Sequence, residues 1–153
     1  MHEKGTRLGQ PTYLTHPHLL KEGELVAGVT ATEFLERRQR FITSIRKAAG
    51  DRKSNGVNIV VIPSASKQYM SEKIPYVFRQ NSDFVYLTGC LEPDAALLLW
   101  IDQKDVYKSV LFVQPKNQHS ELRDGPRTGV LTAPDFFLVD EAYTMDDFKT
   151  FFE

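Results

Sequence analysis

Residue types that could do chemistry are few in this chain of 153 residues, and they are scattered. His16 and His18 flank Pro17. Two imidazoles are too few for a closed metal site, and the proline keeps them off a common helical face. Ser64 and Ser66 follow a β-branched run. They have no Gly-x-Ser-x-Gly elbow and no histidine nearby in sequence, so a loop or helix-cap role fits them better than a nucleophile role. Cys90 is the single cysteine, which excludes an internal disulfide and a cysteine-based zinc site. It follows alternating apolar residues and reads as a small buried hydrophobe. The remaining histidines, His2 and His119, and the dispersed carboxylates assemble into no metal-ligand constellation.

The densest stretch is Ile74–Pro93, IPYVFRQNSDFVYLTGCLEP. Tyr76, Phe78, Phe84 and Tyr86 surround a polar island, Arg79-Gln80-Asn81-Ser82-Asp83. A buried strand would not hold five consecutive polar residues, because each needs a partner. The pattern predicts an extended lead-in, a polar loop and a strand Phe84–Thr88, with Gly89 where that strand turns. On residue types alone this is a structural turn whose polar side chains bond their own backbone and whose aromatics fill a core. A second segment, Glu121-Leu122-Arg123-Asp124-Gly125-Pro126-Arg127-Thr128-Gly129, predicts a tight turn that aims its arginines outward. A plain surface turn with solvated arginines is the alternative.

Taken together, these strings resemble a known family. Tyr76-x-Phe78-Arg79-Gln80-x-Ser82-x-Phe84-x-Tyr86-Leu87-Thr88-Gly89, followed by Glu92-Pro93-Asp94, is similar to the N-terminal domain of aminopeptidase P, the Xaa-Pro aminopeptidases. Residues 121–129 resemble the family's Glu-Leu-Trp-Asp-Gly-Pro-Arg-x-Gly element, with Arg123 in place of the tryptophan. The lead-in Gly9-Gln10-Pro11 … Thr15-His16-Pro17-His18-Leu19-Leu20 … Gly23-Glu24 … Gly28 resembles the third, mitochondrial type within it.

The resemblance implies the creatinase/prolidase N-terminal fold, with a ribonuclease-H-like motif. It also implies a parent activity, removal of an N-terminal residue that precedes proline. Two metal ions, usually manganese, would do this in a C-terminal pita-bread domain, held there by two Asp, one His and two Glu. Those ligands match no residue here, so no bound cofactor is expected for this chain. The expected domain plan is an extended arm over residues 1–29 and the N-terminal domain over 30–153, without the catalytic domain. That makes the chain an excised domain or a truncated product.

The expected partners are its own C-terminal catalytic domain, sister subunits and a peptide with proline second. The expected role is in subunit contacts and in limiting access to the active site. Arg79, Asp83, Tyr86 and Arg127 are the candidates for the substrate rim or subunit contacts. An arginine fork can hold a peptide carboxylate or carbonyl, and an aromatic ring can pack on proline. Asp83 pairing with Arg79 is the structural alternative for both. The competing functional reading is a stand-alone interaction module without peptidase activity.

Composition and patterning set the frame for these residues. The chain is one domain's worth, and 41% hydrophobic with 25% charged residues is ordinary for a globular protein. A net charge of −1 leaves no electrostatic footprint for nucleic acid or an acidic membrane. No apolar run reaches the roughly 18 residues of a membrane span. Neither a secretory h-region nor an Arg-rich, acid-poor presequence is visible. Lone-cysteine usage fits a reducing compartment, cytoplasmic or mitochondrial.

Thr30-x-x-Glu33 is a capping box that predicts a helix Ala31–Ala48, with Phe34, the stem of Arg38, Phe41, Ile45 and Ala48 on its apolar face. Its charges read as a solvated face. A polar loop Asp51–Gly56 and a central strand Val57–Ile62 follow. Ala95–Ile101 and Val106–Val113 form a hairpin about Asp102–Asp105, with Trp100 as a packing anchor. Phe136–Val139 is a further strand candidate, and Thr144 caps a closing helix Met145–Phe152 with Phe148, Phe151 and Phe152 facing inward. The expected class is α/β, a mixed sheet flanked by helices.

Overall fold

Thr30 Oγ1 accepts the Glu33 amide at 3.2 Å, and helix α1 (Ala31–Ala49) begins at that cap. The computed structural model describes residues 7–49, 57–102 and 106–153. The expected loop Asp51–Gly56 and most of the expected turn Asp102–Asp105 lie outside the described residues. Before α1, strands β1 (Glu24–Val26) and β2 (Val29–Thr30) pair antiparallel. After it come β3 (Asn58–Pro63), the small pair β4 (Tyr69–Ser71) and β5 (Ile74–Pro75), and α2 (Ser82–Thr88). The chain continues through β6 (Ala96–Ile101), β7 (Tyr107–Val113), α3 (Gln118–Asp124), α4 (Ala133–Phe137) and β8 (Glu141–Thr144). It closes with 3-10 turns at Met145–Asp147 and Thr150–Phe152.

The main sheet has the order β3-β6-β7-β8. Its first three strands are antiparallel, and β8 joins β7 in parallel. Alternation splits the side chains between two faces. Leu97, Leu99, Ile101, Leu111 and Val113 meet Phe34 and Ile42 of α1, Phe84 and Leu87 of α2, and Phe137 of α4 in the larger core. On the reverse face Ala96, Leu98, Val110 and Phe112 are covered by Met145, Phe148 and Phe151. The rings of Phe148 and Phe151 stand edge-on to Phe112 at 4.9 and 5.3 Å. The mixed, helix-flanked sheet is the expected class.

Several elements differ from expectation. Val57–Ile62 forms an edge strand, because β3 pairs only with β6 among the described residues. Phe84–Thr88 is helical: burial of Phe84, Leu87 and Thr88 follows i, i+3, i+4 spacing, which a short run cannot distinguish in advance from alternation. Gly89 is its left-handed C-cap (φ 67°), donating to Val85 O at 2.9 Å. A side chain there would strike the Phe34 ring.

The strand expected at Phe136–Val139 is displaced. Pro134 opens α4 near its N-terminus, Leu138 ends it in the left-handed region, and the strand follows as β8. The closing helix is two 3-10 turns, with Phe152 half exposed. Trp100 is 41% exposed and lies outside both core clusters. The buried face of α1 centres on Phe34, Arg38 and Ile42, with Phe41 and Ile45 at its flank.

Candidate functional site

The polar island between the aromatics is organised by Gln80. Its Oε1 accepts the amides of Ala65 and Asn81, both at 2.8 Å, and its Nε2 donates to Glu92 O at 2.8 Å. Ser64 belongs to the same knot, its hydroxyl accepting the Ala95 amide at 2.7 Å; the serine serves the loop. These bonds fix where α2 begins and let it present two different sides. Phe84, Leu87 and Thr88 are buried, and Asp83 and Tyr86 are exposed.

Asp83 and Tyr86 line one cleft of about 460 Å³, together with Phe41, Val61, Pro63 and Asn81. The Arg37 guanidinium lies 4.6 Å from the Tyr86 ring centroid and is held by Glu33 at 3.0 Å. Arg79 is exposed and outside that cleft, and among the described residues it forms no ion pair with Asp83.

The second matched segment folds back onto the first. Glu92 is 4% exposed, and its carboxylate accepts the Thr128 amide at 3.2 and 3.3 Å. Burial raises its pKa, against the opposing pull of the Thr128 hydrogen bonds and the Arg127 and Lys116 cations. Arg127 does not project freely as the turn predicted. It is half-buried and donates from Nη1 to Pro115 O at 2.7 Å. Its amide donates to Glu121 Oε1 at 2.7 Å. Arg127 and Glu92 line a separate cleft of about 220 Å³ with Lys67, Tyr69, Gln114 and Asp124. Of the four candidates, the fold thus unites Asp83 and Tyr86, and holds Arg79 and Arg127 elsewhere.

In the sequence Gly9, Gln10 and Glu92 stand only within the matched strings, and Arg38 only as an apolar stem on α1; the fold gives them their organising contacts. Gln10 donates to Leu25 O and Gly89 O, at 3.1 and 3.0 Å, and accepts the Leu91 amide at 2.8 Å. Gly9 packs so closely on the Glu92 carboxylate that a Cβ would overlap it. Arg38, wholly buried, donates to Leu87 O at 2.8 Å and to the carbonyls of Phe137 and Leu138, clipping α1 to the ends of α2 and α4. Desolvation lowers its pKa to about 10, which leaves it charged at neutral pH. Cys90 is fully buried, and burial pushes its thiol pKa up, away from nucleophilic chemistry.

Among the described residues no group of three or more His, Cys, Asp or Glu could hold a metal ion. The donors among the described residues do not fit a two-metal centre. No helix among them is long and apolar enough to cross a membrane.

Sequence and fold agree on the class. Residues 34–153 match the family model of the aminopeptidase P N-terminal domain, and the chain belongs to that family. It is 40% identical to human Xaa-Pro aminopeptidase 3 over 93% of its own length and 28% of that protein's. It is 31% identical to the mitochondrial intermediate cleaving peptidase 55 of Arabidopsis thaliana, over 89% of this chain and 25% of the relative. Among solved structures, zinc-substituted E. coli aminopeptidase P in complex with product superposes with a TM-score of 0.67. That match has 30% identity and covers 80% of this chain and 26% of the other. Pseudomonas aeruginosa aminopeptidase PepP gives a TM-score of 0.65 at 26% identity, covering 81% of this chain and 26% of that one. The chain therefore spans about a quarter of the length of the relatives it matches.

Proposed function

We propose that this chain is the non-catalytic N-terminal domain of a manganese-dependent Xaa-Pro aminopeptidase, working in the mitochondrion or cytoplasm. In this reading it borders the active site of its C-terminal catalytic domain and contacts sister subunits. The metal pair belongs to that other domain, where it would polarise the scissile carbonyl and supply the nucleophile. The part of this chain is positional: it narrows access to free, unstructured peptide ends with proline second.

The observation that carries the reading is the two-sidedness of α2. Its inner residues are locked by the core and by the bonds of Gln80 and Gln10, while Asp83 and Tyr86 face outward beside a cleft. A rigid base that offers a carboxylate and an aromatic ring suits a rim. Tyr86 can pack on a proline ring, Asp83 can meet a cationic peptide group, and Arg79 and Arg127 can hold carboxylates or carbonyls. Arg127 keeps this role only through the guanidinium nitrogens that Pro115 does not engage.

The reading is tested in two ways. The reading frame beyond Glu153 should carry Asp, Asp, His, Glu and Glu ligands. In the longer protein Asp83→Asn and Tyr86→Ala should lower kcat/KM for proline peptides by roughly tenfold, with the melting temperature unchanged. A frame without those ligands, or normal kinetics in both variants, overturns it.

A further inference from the structure

We infer that Arg37 is a positioning residue of the rim: its guanidinium fixes the orientation of the Tyr86 ring on which the peptide packs. The inference deepens the function proposed above and rests on that reading. Tyr86 is 53% exposed and projects from α2, a helix of only seven residues. An exposed ring with no fixed neighbour exchanges among rotamers, and a ligand that packs on it must first select one. A neighbour that orders the ring in advance removes that cost.

That neighbour is built up from the start of α1. Thr30 Oγ1 caps the Glu33 amide, and Glu33 stands one turn before Arg37 on the same side of the helix. Glu33 Oε1 accepts Arg37 Nε and Arg40 Nη2, each at 3.0 Å. These two bonds hold the Glu33 carboxyl below the ordinary carboxylate range, so it stays ionised at neutral pH. The Arg37 guanidinium lies over two rings, 5.0 Å from the centroid of Phe34 and 4.6 Å from that of Tyr86. Phe34 is locked in the larger core. Arg37 Nη1 also reaches the Tyr86 carbonyl at 3.4 Å. With its side chain only 19% exposed, Arg37 is thus held by a carboxylate, a core ring and a backbone carbonyl. A flat, forked cation suits the place, because it bonds in its plane and offers its face to aromatic rings. The point charge of a lysine could not meet all of these groups at once. Tyr86 takes its orientation from this fixed series, and it lines the cleft with Asp83.

Kinetics in the longer protein test the inference through a double-mutant cycle. Arg37→Met should raise KM for a proline peptide about threefold to fivefold and leave kcat nearly unchanged, because the ring binds peptide away from the reacting bond. Arg37→Lys should give a smaller rise. In a Tyr86→Phe background the Arg37→Met loss should persist, since the face of the ring and not its hydroxyl meets the cation. In a Tyr86→Ala background it should vanish. Tyr86→Ala keeps the backbone carbonyl, so an arginine that served only the helix, or touched peptide itself, would still cost efficiency there. A loss that persists in that background overturns the inference. So does an unchanged KM in Arg37→Met when Tyr86→Ala is impaired, and the rim reading survives both results. Normal kinetics in Tyr86→Ala overturn the inference whatever Asp83→Asn shows. Circular dichroism checks folding; if Arg37→Met fails it, Arg37→Lys carries the same comparison.

Discussion

Arg127 Nη1 donates to the carbonyl of Pro115 at 2.7 Å, so the arginine of the second matched segment is tied to the end of the sheet. That bond separates the two arginines proposed for the rim. Arg127→Ala should cost about 1–2 kcal/mol of stability, a charge-assisted bond at a half-buried site. Arg79→Ala, at an exposed position, should leave stability unchanged within about 0.5 kcal/mol. Urea denaturation of both variants checks the contrast, and equal midpoints would contradict it.

Helix α1 offers a second contrast. Ile42 is 1% exposed in the core, and Phe41 is partly buried at its flank. Ile42→Ala should cost about 2–5 kcal/mol and Phe41→Ala clearly less, despite the larger side chain lost. Thermal melts rank the pair. A greater loss for Phe41→Ala would mean that the inward face of α1 is rotated from the one described.

Glu92 sets a pH dependence. Its folded pKa lies above the ordinary value of 4.5, with burial as the main cause. Between 4.5 and that raised value the native state binds more protons than the unfolded state. The contribution of Glu92 is therefore fully present below about pH 4.5 and is lost as pH rises through the folded pKa. Glu92→Gln should remove this component, flattening stability against pH on the alkaline side of 4.5. Denaturation of both proteins at a series of pH values is the measurement, and identical slopes would contradict the assignment.

Manganese titration addresses the division of labour. This chain should show no tight stoichiometric binding by calorimetry and no cleavage of a proline peptide, because its donors converge on no common point among the described residues. A tight isotherm accompanied by turnover would refute this.

The legible parts of the fold were those with long or local signals. The Thr30–Glu33 cap and a 19-residue amphipathic run mark α1, and continuous apolar stretches mark β6 and β7. At seven residues, α2 satisfied strand alternation through Phe84, Tyr86 and Thr88 as well as helical spacing through Phe84 and Leu87. The pentapeptide α4 was shorter still. The polar residues that organise the clefts were illegible for another reason. Gln10, Arg38 and Glu92 are satisfied by backbone groups 15 to 100 positions away, and only the folded chain says which. The exposed residues Asp83 and Tyr86 could be picked out from their motif; their shared cleft could not.

Gln10 spends all three of its polar contacts on strand β1 and on the chain just past α2. The Leu91 amide therefore depends on a side chain 81 positions earlier, and its hydrogen-exchange rate reports whether the start of the chain is docked. Leu8 is buried beside it, and the Gly9 amide donates to Thr128 Oγ1 at 3.1 Å. Proteolytic trimming that stops before Leu8 spares this seam. A cut three residues further in, which takes Gln10 as well, exposes the Leu91 amide to solvent and uncovers the Glu92 carboxylate that Gly9 packs on.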